Sequence, residues 1–446
     1  MSRRIAVAIL MRVEKEGLFA APLLDRTLER SRLSPLDKGL TTELVYGVLR
    51  WQGRLDAILS PFLRFPLPQM DPLLRNILRL AVYQLFFLDR IPAFAATDEA
   101  VKLAASSISP RQGDFANAIL RRIVEQPPSI SAPGPAKDLE EWAAYYSHPQ
   151  ELIRKWIEDW GEKEAAALME ANNQTPYLGL QVNTLRADAP ALLRALSAQL
   201  EREEEGHFVP NFHRVRGFWG IRRTRPWMEG WFQIMDEASA LIPHLLHPEP
   251  GEEILDACAG KGGKAALLAQ LMEDRGRVTA VDINRKALAM LKENCRRLGI
   301  HIIEPLWGDI RDPQAIRGRK FEKILLDAPC SGLGTLQRHP EIKWREPLSS
   351  LPRLRFLQLS LLKAVALHLS PGGIVVYSTC SPQPEEDEEV IEDFLRSHPS
   401  FSVEDLSAYL PKSVAGAITP RGYLRTFPHR HGTDAFFAAR LRSCKN

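Results

Sequence analysis

The sequence predicts a multidomain chain with an all-helical domain, a small α+β module and a doubly wound α/β domain whose sheet is mostly parallel. Three observations carry this. Residues 1 to about 125 repeat apolar side chains at helical spacing, the run QPPSISAPGPAKD at 126–138 has no periodicity, and beyond about 236 short apolar strands alternate with helical stretches. With 446 residues the chain has room for several domains, and the expected division is 1–130, 140–235 and 236–446.

In the first part, Ile5, Ala6, Ile9, Leu10 and Val13 fit one face of a helix. Leu40, Leu44, Val48 and Leu55 follow the same rule, as do Leu74, Ile77, Leu78, Ala81 and Leu85, with prolines at 66, 68 and 92 separating the stretches. The Pro/Ser/Gly-rich run that follows reads as a linker. Residues 149–171 read as helix, 178–186 as a strand and turn, and 189–200 as another helix. In the last part the expected strands are 253–257, 277–282, 323–327, 373–378 and 435–441. The expected helices between them are 263–273, 284–298, 350–369 and 384–397. The acidic run 385–389 reads as a first helical turn, where carboxylates meet the positive end of the dipole.

Composition excludes several classes. The most apolar run, 80–88, contains Gln84 and is too short for a bilayer. Arg12, Glu14, Lys15 and Glu16 interrupt the apolar N-terminus, so a secretory leader is not expected and the chain reads as cytoplasmic. The five cysteines (Cys258, Cys295, Cys330, Cys380 and Cys444) are odd in number and show no CxxC spacing. Neither a zinc site nor a disulfide framework is expected. Net charge is +3, but residues 1–125 hold 18 Lys+Arg against 13 Asp+Glu, an excess compatible with a nucleic-acid partner.

EILDACAGKGGKAALLAQL joins a strand, a glycine-rich loop and a helix. The loop is Cys258, Ala259, Gly260, Lys261, Gly262, Gly263 and Lys264. Such a turn lets backbone approach a ligand and presents the free N–H groups of a helix start. VTAVDIN then ends a second strand in Asp282, 26 residues after Asp256, where a carboxylate can hold both hydroxyls of a ribose. LWGDI supplies a third strand-end acid, Asp309, suited to an adenine amino group. The spacing is not GxGxxG, which disfavours a dinucleotide and an NAD-dependent dehydrogenase. Adenosylmethionine, with a ribose and an adenine but no phosphate, suits these parts.

Two further motifs run from an apolar strand straight into a cysteine. One is ILLDAPCSGLGTLQRHPEIKWR with Asp327 and Cys330, the other GGIVVYSTCSPQPEEDE with Cys380. The carboxyl ends of parallel strands are where ligands bind in this architecture. A thiolate suits one reaction in particular. Its attack on carbon 6 of a cytosine makes carbon 5 enamine-like, so that carbon 5 accepts a methyl group. Lys264 can help lower the thiol pKa, and Asp327 can stabilise a protonated ring nitrogen. Taken alone, these residues leave open which thiol attacks, because DNA cytosine methylases put theirs in a Pro-Cys motif and Pro329-Cys330 is present here.

DACAGKGGK, DAPCSGLGT and YSTCSPQPEE, in this order, resemble the Nop/Sun family of RNA cytosine-C5 methyltransferases, and HRHGTDAFFAARL resembles that family's closing strand. LSPLDKGLTTELVYGVLRWQGRLDAIL and DFANAILRRI resemble a NusB-like RNA-binding domain. The combination is similar to the bacterial Sun/Fmu branch, whose members methylate small-subunit ribosomal RNA. The resemblance implies a Rossmann-like catalytic domain with S-adenosyl-L-methionine as cofactor. It implies Cys380 as nucleophile and Cys330 as the cysteine that assists product release. It places the cofactor against Cys258–Lys264, Asp282, Asp309 and Asp327, with Lys264 also facing the target base. Lys261 stands where the family loop commonly has proline.

The expected partner is small-subunit (16S) ribosomal RNA, with no membrane and a monomeric chain. A tRNA, another ribosomal RNA, or a non-catalytic assembly role are the alternatives. Arg3, Arg4, Arg121, Arg122, Arg222, Arg223 and the group Arg338, Lys343 and Arg345 are candidate phosphate ligands, the last group foremost.

Overall fold

The computed structural model describes residues 1–135, 138–217, 220–345 and 348–444. They form two compact units, Met1–Thr175 with Leu336–Leu348, and Pro176–Thr335 with Ser349–Asn446.

The first unit is helical throughout: α1 Ser2–Glu16, α2 Ala20–Arg30, α3 Pro35–Leu59, α4 Pro72–Phe87, α5 Ala93–Ser107, α6 Pro110–Glu125, α7 Leu139–Tyr146, α8 Gln150–Trp160 and α9 Glu162–Asn172. Sequence chemistry sets the ends. Ser34 accepts the Asp37 N–H and Asp71 accepts those of Leu73 and Leu74, each with proline at the start of the helix that follows. The expected apolar faces meet in one core, where Ala6, Ile9, Leu10, Leu44, Val48, Leu55, Ile77, Leu78 and Ala81 are buried. Arg79 of α4 clasps Asp56 of α3 through two bonds of 2.7 Å. The run 126–138 is partly anchored, since Ile130 packs on this core and the Gly134 carbonyl accepts from the Trp142 indole. Ala136 and Lys137 of that run lie outside the described residues.

The single helix expected over 149–171 is two helices, broken at Gly161 with φ 79° and ψ 160°. Only glycine adopts that conformation at low cost. Helices α7 to α9 pack within the first unit rather than with the strands that follow.

In the second unit, β1 Leu178–Val182, β2 Arg202–Glu205, β3 Phe212–Arg216 and β4 Phe232–Ile234 form an antiparallel sheet in the order β2-β3-β1-β4. Two helices accompany it, α10 Ala189–Leu196 and the short α11 Arg225–Met228. After α12 Glu237–His244 comes the large sheet. Its strands and helices alternate: β5 Glu253–Asp256, α13 Gly263–Leu271, β6 Arg277–Asp282, α14 Arg285–Leu298, β7 Ile303–Trp307, β8 Phe321–Asp327, α15 Leu351–Ala366, β9 Leu369–Thr379 and α16 Glu388–Ser397. β10 Phe401–Glu404, β11 Leu424–Arg425, α17 Pro428–His431 and β12 Phe437–Ser443 complete it.

The order β10-β12-β9-β8-β5-β6-β7 is parallel from β9 to β7, with β12 antiparallel to β9. The chain winds one way from β5 to β7 and then returns to the other side of β5 with β8. The β5/β8 boundary is therefore the switch point where crevices open at strand carboxyl ends. No described helix is long and apolar enough to cross a membrane.

Gly161→Ala is expected to destabilise the protein by about 1–3 kcal/mol, the cost of a side chain in that backbone region. Urea unfolding monitored by circular dichroism checks it, with exposed Glu162→Ala as the near-neutral control.

Candidate active site

The strand ends β5, β6, β8 and β9 bring the predicted residues together. After Asp256 the loop turns with the Gly262 N–H donating to the Ala259 carbonyl, and α13 begins at Gly263. Asp282, ending β6, accepts the Gly260 N–H at 2.8 Å and the Asn284 N–H at 2.7 Å, so it shapes the loop that it faces. Lys261 is exposed, and its carbonyl accepts from Asn294 at 3.3 Å. The loop therefore closes without the proline. Asp309 lies two residues beyond β7 and is occupied by its own neighbour, accepting from the Arg311 backbone and guanidinium. That hydrogen bonding holds its carboxyl below the usual range.

Asp256 was named in sequence only as the start of a spacing, and it is the most unusual acid here. It is 1 % exposed, and neither carboxylate oxygen has a hydrogen-bond partner of normal geometry among the described residues. Burial first, then the Asp327 charge, pushes it up to about 7. The Cys258 thiol is pushed up in the same way by burial and the surrounding acids.

Asp327 ends β8 with both oxygens engaged. Lys264 Nζ donates to Oδ2 at 2.6 Å and Ser378 Oγ to Oδ1 at 2.8 Å. Burial would lower the Lys264 pKa, but the charge and hydrogen bond of Asp327 outweigh it, and the amine is held above its usual range as a cation. Lys264 also lies 5.2 Å from the Phe436 ring centre and feels the charge of Cys380.

The two cysteines meet, with Cys330 Sγ 3.3 Å from Cys380 Sγ. β8 and β9 are parallel neighbours paired Asp327 to Ser378, so the residues just past each strand emerge side by side. The hydrogen bond to Cys380, then burial, holds the Cys330 thiol well above its usual range. Gly334 permits the approach of the two motifs. Its N–H donates to the Cys380 carbonyl at 3.0 Å, and a Cβ there would lie 2.0 Å from the Ala435 carbonyl oxygen.

Two sequence readings change. The acidic run is not simply a charged first turn. Glu388 and Glu389 do open α16, but Glu386 and Asp387 are buried, with Asp387 bonded to Thr379 and paired with Arg425. The only sequence signal was the density of acids, which does not say which ones turn inward. The foremost phosphate-ligand group also loses Lys343. Lys343 is 3 % exposed and donates to the carbonyls of Arg50 and Ser147 and to Asn173 Oδ1, all within the helical unit. Burial pushes its amine well below the usual range. Arg345 donates to the Gly17 carbonyl and covers the Phe19 ring at 3.9 Å.

The doubly wound sheet, the glycine loop at its switch point and the paired thiols beside it define a Rossmann-like methyltransferase domain, here joined to a helical domain. Residues 243–442 match the family described as 16S rRNA methyltransferase RsmB/F, residues 1–125 the NusB family, and residues 148–211 the RsmF/B-like ferredoxin-like domain. The chain is 35% identical to the probable ribosomal RNA small subunit methyltransferase B of Bacillus subtilis, over 99% of this chain and 98% of that one. It is 34% identical to the ribosomal RNA small subunit methyltransferase B of Pseudomonas putida, over 94% and 92%. Among solved structures, that of PH0851 superposes with a TM-score of 0.83 at 28% identity, covering 99% of this chain and 98% of that one. The chain belongs to the RsmB/F family of methyltransferases, as the sequence motifs implied.

Gly334→Ala is expected to force the two cysteine-bearing loops apart at a cost of about 1–3 kcal/mol, the usual range for overpacking. Differential scanning calorimetry checks the lowered transition temperature.

Proposed function

We propose that this protein methylates carbon 5 of a cytosine in small-subunit ribosomal RNA, with S-adenosyl-L-methionine as methyl donor and Cys380 as nucleophile. The observation that carries it is the pair of thiols 3.3 Å apart at adjacent strand ends, beside the Lys264–Asp327 ion pair. Transfer to an exocyclic amine needs no thiol, whereas transfer to a ring carbon uses one. The family membership supports ribosomal RNA as the substrate class, since the curated relatives bear that name. The three-part division 1–130, 140–235 and 236–446 is retained as the reading of the chain, with exposed Arg222 and Arg223 of the middle part as candidate phosphate ligands.

The residues present fit the cofactor. Asp256 is a buried acid whose oxygens have no hydrogen-bond partner of normal geometry among the described residues, and a Cβ on Gly260 or Gly263 would meet only open space. Cys258 to Lys264, Asp282, Asp309 and Asp327 would hold it, Asp309 only by giving up its bonds to Arg311. When bound it supplies an electrophilic methyl group. The Cys380 thiolate adds to carbon 6 of the flipped-out base, and carbon 5 becomes nucleophilic. Lys264 stabilises the thiolate. Asp327 faces the base edge and stabilises the protonated ring nitrogen. After transfer, the carbon-5 proton is lost to water, its electron pair restores the 5,6 double bond, and the bond from carbon 6 to Cys380 breaks, a release that Cys330 assists.

The test is purified protein with adenosylmethionine and unmethylated small-subunit RNA, read by nucleoside mass spectrometry and denaturing gels. Wild type is expected to form 5-methylcytosine and Cys380→Ala none. Cys330→Ala is expected to accumulate a covalent protein–RNA adduct. Methylation by Cys380→Ala with no adduct from Cys330→Ala would exchange the two roles, and a wild type inert on this RNA but active on tRNA would replace the substrate.

A second expectation concerns pH. With Asp256 near 7 in the free protein, a cationic ligand favours its ionised form, so binding strengthens as pH rises through that value. Adenosylmethionine affinity by calorimetry should rise by up to about tenfold between pH 6 and pH 8 for one linked proton. Asp256→Asn should flatten that dependence.

A further inference from the structure

We propose that Glu386 is a positioning residue that sets the two cysteines in register and keeps their shared site polarised. The inference rests on the Cys380 and Cys330 roles given above. Glu386 is fully buried, six residues beyond Cys380, in the turn that leads into α16. Its Oε1 accepts the Ser331 N–H at 2.8 Å and the Gln358 side-chain amide at 3.1 Å. Its Oε2 accepts the hydroxyls of Ser331, at 2.6 Å, and Ser381. Ser331 follows Cys330 and Ser381 follows Cys380. One carboxylate therefore grips the residue next to each thiol.

The hydroxyl directions are fixed by their other bonds. Ser331 Oγ accepts the Leu333 N–H at 3.4 Å, and Ser381 Oγ accepts the Gln383 N–H at 3.1 Å. Each hydroxyl proton then points to Glu386, which receives four donors and has no place for a proton of its own. An ionised carboxylate satisfied in this way is a stable buried anion. The serine oxygens stand 3.3 Å apart, the same separation as the sulfurs, so the two pairs form successive rungs between the loops. The carboxylate itself is held from both sides. Tyr377 of β9 donates to the Glu386 backbone carbonyl at 2.6 Å, and Gln358 also donates to the Pro329 carbonyl at 3.0 Å, just before Cys330.

Two consequences follow. The sulfur separation depends on Glu386 as well as on strand pairing, because both cysteines lie past the last paired residues of β8 and β9. The negative charge of Glu386 also disfavours a thiolate at Cys330, adding to the larger effects of the Cys380 hydrogen bond and burial. Neither sulfur touches Glu386 through a hydrogen bond, so its action passes through the serines and the local field.

The test compares wild type with Glu386→Gln, which keeps the shape but loses the charge and one acceptor. Thiol alkylation by iodoacetamide from pH 6 to 9, read by peptide mass spectrometry, needs neither RNA nor cofactor. Alkylation of Cys330 at pH 8 is expected to rise about tenfold in the variant, the effect of one pKa unit. Single-turnover methyl transfer is expected to slow about a hundredfold, the usual result of slight misplacement, while cofactor affinity stays unchanged. Slower transfer with an unmoved thiol profile would reduce Glu386 to a structural residue and overturn the proposal, as would wild-type behaviour in both assays. If Glu386→Gln does not fold, Ser331→Ala with Ser381→Ala carries the same test through the same two readouts. If wild type transfers no methyl group to any RNA but the variant shifts the Cys330 profile, the substrate reading falls and the role of Glu386 stands.

Discussion

The reversal of winding between β5 and β8 is the constraint on which the site depends. Parallel strands share one direction, so every loop that leaves a carboxyl end opens on the same edge of the sheet. At the reversal, the loops after β5 and β8 leave toward opposite faces and a crevice opens between them. The glycine loop follows β5 and the Cys330 motif follows β8, while β9 lies beside β8 and delivers Cys380. No helix has to be placed with special accuracy for this. Strand pairing, with Asp327 opposite Ser378, brings the residues just past β8 and β9 out side by side.

The crevice is crowded with acids beside the half-buried cation of Lys264. Asp327 and Asp256 both act on Lys264, and Asp327 bonds it directly. Such a site lowers the cost of a positive ligand and raises the cost of each further anion. Burial first, and then the neighbouring acids, raises the pKa values of Asp256 and Cys258, whereas the hydrogen bond to Cys380 and then burial raise that of Cys330.

The stretch after the Cys330 motif has a different character. Leu336–Leu348 packs with the helices of the first unit, where Lys343 satisfies three oxygens and Glu341 accepts the Ala20 N–H at 2.9 Å. A charged run that looks like a solvated nucleic-acid ligand is thus largely internal wiring. Buried lysines survive where every proton finds an acceptor, and Lys343 finds three.

Much of this was legible in the chain. Apolar periodicity gave the helices of the first part and the alternation of the last, because periods of 3.6 and 2 are local properties. The strand 277–282 and the start of α13 at Gly263 agree with the structure to the residue, since an acid and a glycine loop mark those ends. The motifs also pointed to Cys330, Cys380, Lys264 and Asp327, which the structure brings together at neighbouring strand ends. The sequence could not tell which charged residues turn inward. Glu386 and Lys343 look the same as their solvated neighbours when read along the chain. Ser381 apart, their partners, Ser331 and Gln358 for the first and Arg50, Ser147 and Asn173 for the second, lie 28 to 293 positions away. Local pattern fixes backbone conformation and the identity of the reactive atoms. Burial of a charge is decided only when distant donors or acceptors converge on it, and that convergence exists in the tertiary structure alone.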